Sequence, residues 1–298
     1  MRRLSFSLAF TLAAGSASAA PIPDPAYGAY QRGLYVTAFR EATQRLEKTP
    51  NDAPAMTLLG ELYNQGLGVP QDPVKAAEWY RLAARSGDPH ALSALGLMAI
   101  DGRGMAKNPG QGRTWLEQAA AKGEPRASYN LALLLLPSGS ASDLARAVEL
   151  LQKAASAEIA DAQHALGVLH LKGRGLPRDA AEAAELFSRA AKNGSLAGEV
   201  EYAILLFNGD GVAKNEAEAA KAFRRAAAKG NAIAQNRLAR LYAAGRGVPA
   251  NKVEAGAWHL MAAAQGLPDT WLDEALKDLS AADRTRAERI AAERTGTP

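Results

Sequence analysis

The side chains able to do chemistry are few and far apart. Four histidines, His90, His164, His170 and His259, and no cysteine occur in 298 residues. His164 and His170 stand six apart, whereas two ligands on one helix face need a spacing of three or four, so no metal site is expected. No Gly-x-Ser-x-Gly elbow and no His-Glu-x-x-His pair points to a nucleophile or a zinc-bound water. Carboxylate pairs such as Glu182 and Glu185 have Arg and Lys neighbours and read as solvated faces. Gly-x-Gly occurs at Gly66 and Gly68, Gly102 and Gly104, Gly173 and Gly175, Gly209 and Gly211, and Gly245 and Gly247. These pairs lack the third glycine and the preceding strand that phosphate cradles require. The expectation is a protein with no catalytic residue, no cofactor and no metal, not an enzyme, whose chemistry is recognition.

Composition narrows the partners. Nearly half the chain is apolar, enough for a sizeable core, and 35 Lys and Arg face 31 Asp and Glu. Arg2 and Arg3 begin an export signal: Leu4 to Gly15 is apolar, and Ala17-Ser18-Ala19 suits a signal peptidase, with cleavage expected after Ala19. The apolar run is too short to span a bilayer, no Cys follows it to carry a lipid, and the next comparable stretch, Leu131 to Leu136, is closed by Pro137. Loss of the two arginines leaves the mature chain near neutrality, without the clustered basic face that nucleic acid demands. The expected mature protein is periplasmic or secreted, favoured as a monomer, with no membrane insertion and no nucleic-acid partner.

The elements that carry the glycines recur. Ala83-Ala84 returns as Ala119-Ala120, Ala154-Ala155, Ala190-Ala191, Ala226-Ala227 and Ala262-Ala263, every 35 or 36 residues. Leu59-Gly60 and its relatives at 95, 131, 166, 202 and 238 precede each pair. Within a unit, Ala55, Leu58, Leu59, Leu62 and Tyr63 form a helical stripe that Gly66 ends. Asp72 and Pro73 then start a second helix carrying Ala76, Ala77, Trp79, Tyr80 and the alanine pair, with Gly87 after it. Trp79 and its counterparts Trp115, Leu150, Leu186 and Trp258 are expected to fill the space beside the alanines. The third unit departs from the pattern, with Pro137 to Ser142 in place of the glycine turn.

Leu59-Gly60, Tyr63, Gly66-Leu67-Gly68-Val69, Asp72, Lys75-Ala76, Trp79-Tyr80, Ala83-Ala84 and Gly87 together resemble the Sel1-like repeat family, relatives of tetratricopeptide repeats. The resemblance implies an all-α fold, an α/α superhelical solenoid of helix-turn-helix repeats. The expected organisation is a signal peptide over 1–19 and a lead with capping helices over 20–54. Six repeats follow at 55–90, 91–126, 127–161, 162–197, 198–233 and 234–269, and then a C-terminal capping helix and tail over 270–298. It also implies a scaffold or adaptor for protein–protein interactions in a bacterial envelope. The alternative it leaves is a muropeptide or β-lactam binding protein or hydrolase acting on the cell wall.

By analogy with tetratricopeptide arrays, the positions two and five beyond the Leu of Leu-Gly face the concave wall. The first set reads Glu61, Leu97, Leu133, Val168, Ile204, Arg240, and the second Asn64, Ile100, Leu136, Leu171, Phe207, Ala243. Leu97, Ile100, Leu133, Leu136, Val168, Leu171, Ile204 and Phe207 thus form an apolar strip over four repeats, expected to bind a protein partner or peptide segment. Four first helices span roughly 30 Å, about nine residues of extended peptide. The competing readings are that neighbouring helices bury the strip as core, that the chain's own tail fills it, or that copies self-associate through it.

Overall fold

Each helix pair begins with local chemistry. Asp52 accepts a hydrogen bond from the Ala55 N–H to start the first helix of the first repeat, and Asp72 does the same for Lys75 at the start of the second, with Pro73 in the first helical turn. The computed structural model describes residues 24–296, so the signal expected over 1–19 lies outside the described residues. The first helices of the six repeats are α3 (Ala53–Gln65), α5 (Pro89–Asp101), α7 (Pro125–Leu135), α9 (Ala160–Lys172), α11 (Leu196–Asn208) and α13 (Ala232–Ala244). Their partners are α4 (Pro73–Arg85), α6 (Pro109–Ala121), α8 (Ala141–Ser156), α10 (Ala180–Lys192), α12 (Glu216–Ala228) and α14 (Lys252–Ala264). A pair precedes them, α1 (Pro25–Gln31) and α2 (Tyr35–Lys48), and α15 (Thr270–Ala275) and α16 (Ala281–Thr295) follow. Among the described residues there is no strand, and the fold class is an all-α helical-repeat solenoid.

The alanine pair has the packing role its size suggests. Its first member, Ala83, Ala119, Ala154, Ala190, Ala226 or Ala262, is fully buried in every repeat. Of the expected fillers, Leu150, Leu186 and Trp258 are buried, whereas Trp79 and Trp115 are only half-buried and the residue after each of them is the buried one. Tyr80, Leu116, Leu151, Phe187 and Phe223 are the buried series. Leu-Gly supplies the seat: a Cβ on Gly60, Gly96 or Gly167 would stand 2.7 Å from the side chain of Tyr80, Leu116 or Phe187. The two positions are neighbours on the helix, about 100° apart, and only the packed partner decides which one turns inward.

The two turn glycines do different work. The first ends the helix in the left-handed conformation, as Gly66, Gly102, Gly173, Gly209 and Gly245 all do. The second lies against the previous repeat. A Cβ on Gly104 would come within 2.0 Å of the Pro73 carbonyl oxygen at the start of α4, and one on Gly211 within 2.1 Å of Ala180 O at the start of α10. In the third repeat a short 3-10 turn, Leu136–Ser138, replaces this motif. That repeat also ends on Glu158, held at φ 61 where its neighbours have glycine, with its carboxylate gripped by Gln163, Arg189 and Asn193.

The chain divides into two compact units, Met1–Leu131 and Ala132–Pro298. In the first, Ala26, Ala29, Ala38 and Ala42 of the leading pair pack on Leu59 and Leu62 of α3. In the second, Leu272 and Leu276 after α14 and Ala287 and Ala291 of α16 close the core. The single terminal helix expected from Thr270 onward is instead two, because Ser280 caps a new start, its hydroxyl accepting from the Asp283 N–H. Trp271, in the first turn of α15, is 46% exposed.

If the close approach at the second turn glycine locks neighbouring repeats, Gly211→Ala and Gly230→Ala must differ. Both glycines have positive φ, but Gly230 faces open space. Gly230→Ala is expected to lose about 1 kcal/mol from backbone strain alone, and Gly211→Ala about 2 kcal/mol more, read as urea midpoints. Equal losses would refute the contact.

Candidate functional site

The eight strip residues share one state: Leu97, Ile100, Leu133, Leu136, Val168, Leu171, Ile204 and Phe207 are all half-buried. In the first unit, Ile100 of α5 packs over Gly112 of α6, where a Cβ would stand 2.7 Å from Ile100 Cγ1. In the second unit, Val168 and Leu171 of α9 rest on the cluster of Ala183, Ala184, Phe187 and Leu205, and Ile204 and Phe207 of α11 rest on the adjoining core. The carbonyl of Leu136 accepts from Arg174 Nη2 at 2.6 Å. The polar residues at the same register in the first repeat are buried. Glu61 and Asn64 are 3% and 5% exposed, drawn inward because α1 lies over α3.

Ile204 and Phe207 open into a cavity of about 240 Å³ whose other walls include Arg237, Arg240, Arg246 and Trp271. Arg240 grips Asp269 with two bonds of 2.6 and 2.8 Å, and Asn236 donates to the same carboxylate. The Arg240 guanidinium, with these donors, holds the Asp269 carboxyl well below the usual carboxylate range. Arg240 also lies 5.2 Å over the Trp271 ring, and Arg246, paired with Glu216, lies 4.1 Å over Phe207. The apolar end of the strip in this unit is therefore bordered by guanidinium faces whose charges are already matched, with Arg237 exposed beside them.

A second cavity of about 240 Å³ lies in the first unit, and the sequence reading missed it. Tyr27 and Tyr30 of α1 face Thr57, Leu58 and Glu61 of α3, with Asp88 and His90 at the start of α5. Glu61 Oε2 accepts from the Tyr80 hydroxyl at 2.6 Å, and Oε1 accepts from Gln65. Burial pushes the Glu61 carboxyl up, against the lowering effect of those two donors. Burial likewise carries the Tyr30 phenol up to about 12, helped by the charge of Glu61. His90 Nδ1 lies 2.7 Å from Glu124, and although burial opposes the imidazolium, this carboxylate raises its pKa overall. The one sequence cue was a carboxylate at the register where four other repeats carry Leu, Val or Ile. No group of three His, Asp or Glu side chains placed to hold a metal occurs among the described residues.

Twelve helices paired around alanine and glycine contacts, with half-open side chains in one register, define a helical-repeat protein of the interaction-scaffold class. The chain belongs to the Sel1 repeat family, whose repeat matches residues 53–88, 89–124, 125–158, 160–195, 197–231 and 232–267. Among curated proteins there is no match to this sequence. The chain is similar to the crystal structure of c5321, a protective antigen present in uropathogenic Escherichia coli strains displaying an SLR fold. That likeness has 27% identity and a TM-score of 0.58, and it covers 88% of this chain and 64% of the other. This chain thus spans less than two thirds of that relative's length. Weaker likenesses in fold are a Sel1 repeat protein from Oxalobacter formigenes (23% identity, TM-score 0.45, covering 90% and 98% of the two chains) and the immunity protein Pa5087 from Pseudomonas aeruginosa (17%, 0.44, covering 92% and 85%). Sel1 repeats generally mediate protein–protein interactions and are typically non-catalytic scaffolds.

The buried carboxylate gives a pH signature. A carboxyl whose folded pKa is raised destabilises the fold once pH passes its unfolded value near 4.5, and the penalty vanishes below it. Glu61→Gln keeps the size and removes the charge. Its melting temperature should exceed the parent's at pH 7.5 and match it at pH 3.5. A lower value at pH 7.5 would show that the ionised form is held favourably.

Proposed function

We propose that this chain is an exported adaptor of the bacterial envelope that binds a segment of a protein partner along the apolar strip of its first helices. The observation that carries the reading is the half-burial of all eight strip residues, in the same register of four successive repeats. A core position would be closed off, whereas these side chains are seated on the helices behind them with one side still open. Burying that remaining apolar surface supplies the driving force, at about 25 cal/mol per Å². The arginines and rings around Ile204 and Phe207 add polar contacts at one end of the strip in the second unit. The Arg2-Arg3 start, the short apolar run and the Ala-Ser-Ala site support export. That the c5321 relative is a protective antigen is in keeping with an exported location.

Leu133→Glu and Val168→Glu test the strip. Because both positions are half-open, each variant should keep its helical circular dichroism and melt within a few degrees of the parent. Each should also reduce photo-crosslinking of the dominant envelope partner from a probe at Ile204 by about tenfold or more, the loss of roughly 1.4 kcal/mol. Unfolding of both variants would assign the strip to the core and overturn the binding face. Export is tested separately by sequencing the N-terminus of the protein recovered from the periplasm, expected to begin at Ala20.

A further inference from the structure

The first-unit cavity holds an acid with no counterion among the described residues. Glu61 is 97% buried on an accessible-surface basis, and both its oxygens accept only from neutral donors, Tyr80 and Gln65. Among the described residues no cationic side chain stands within ion-pair distance of it; Arg103 and Arg126 act on it only from farther off. The other acids of the cavity differ. Asp24 is matched by Arg45, while Asp88 spends one oxygen on the Ala91 N–H of α5 and stands near enough to His90 to favour its imidazolium form. His90 is engaged with Glu124. The wall therefore presents one buried carboxylate, Glu61, whose hydrogen-bond donors are all neutral, and a buried carboxylate is expensive to maintain unless a cation joins it.

Two further features indicate what would join it. Thr57 lines the same cavity, is 4% exposed, and its hydroxyl has no hydrogen-bond partner among the described residues. Tyr27 and Tyr30 stack at 6.2 Å between ring centroids and 18° between planes, forming an aromatic wall of the kind that faces organic cations. A metal is disfavoured by the donor set, since no three ligating side chains converge there. The volume, about 240 Å³, lies below the range of about 300–1,000 Å³ for whole small-molecule ligands and matches a single long side chain better.

We propose that this cavity receives the basic side chain, lysine or arginine, of a partner polypeptide, with its charged end at Glu61 and Thr57 and its aliphatic stem along Tyr27 and Tyr30. The site is independent of the apolar strip, because none of the strip residues lines it.

The test is calorimetric titration of the purified full-length chain with blocked tripeptides, Ac-Gly-Lys-Gly-NH2 and Ac-Gly-Arg-Gly-NH2, against the norleucine analogue. At least one basic peptide is expected to bind with Kd of about 1 mM or tighter, at least tenfold better than norleucine. Glu61→Gln should weaken it at least tenfold, and Thr57→Val severalfold, with both variants keeping the parent's circular dichroism and melting as cooperatively as the parent. Equal binding of norleucine, undiminished binding by folded Glu61→Gln, or no binding up to about 10 mM would overturn the site. Butylamine binding as tightly as the lysine peptide would overturn the polypeptide as its source. Failure here leaves strip binding, read by Leu133→Glu, untouched.

Discussion

The closest approaches of glycine between repeats are those of the second glycine in three of the Gly-x-Gly turns to the helix start of the repeat before it. At Gly104, Gly211 and Gly247 the neighbouring carbonyl oxygen lies so near that no side chain fits. With no cysteine in the chain, cohesion between repeats rests on such contacts and on the alanine faces behind them. Nearest-neighbour folds of this kind add stability repeat by repeat, so one crowded contact replicated along the chain also sets where every first helix sits. In the third repeat a 3-10 turn replaces the motif, while the fourth keeps its own glycine contact, Gly175 on Leu144, and is tied further through Glu158, which is held at positive φ and bonded by three side chains.

Because the glycine and alanine positions carry that framework, the remaining register positions are free to vary. The strip register tolerates Glu61, Leu97, Val168 or Arg240 without changing the helix that bears it. Glu61 illustrates the limit of that freedom. It is stabilised by Tyr80 and Gln65 yet still held above its ordinary pKa, so the first repeat carries a local penalty that a purely structural residue would not need. Retention of an unmatched buried acid beside an unpartnered hydroxyl makes more physical sense in a recognition site than in a core.

The repeats, their caps and both turn glycines were legible in the sequence because their causes are local: a capping Asp, a proline in the first turn, a left-handed glycine. The strip was legible as a register but not as an exposure, since half-burial depends on how far the neighbouring helix stands away. The choice between Trp79 and Tyr80 as the buried filler escaped for the same reason; the two are adjacent on one helix, and only Gly60 across the interface selects between them. The first-unit cavity was least legible. Its aromatic wall comes from α1, a seven-residue helix outside the repeats whose packing on α3 leaves no periodic trace.

The two cavities suggest how such a scaffold acquires specificity. Each opens at the strip register within its own unit, one at Glu61 and the other at Ile204 and Arg240, and their chemistry is opposite. The first offers buried carboxylate and tyrosine, and the second offers guanidinium and tryptophan. In the second the charges are largely matched internally by Asp269 and Glu216, so a ligand there gains mainly from the ring and aliphatic surfaces. In the first the carboxylate is unmatched, so a ligand gains most by bringing the missing charge. Apolar side chains between such positions give adhesion with little discrimination, because one methylene more or less changes little. Discrimination comes instead from sites that leave a polar group unpaired when the wrong partner binds, and in the described residues that condition is met most clearly at Glu61.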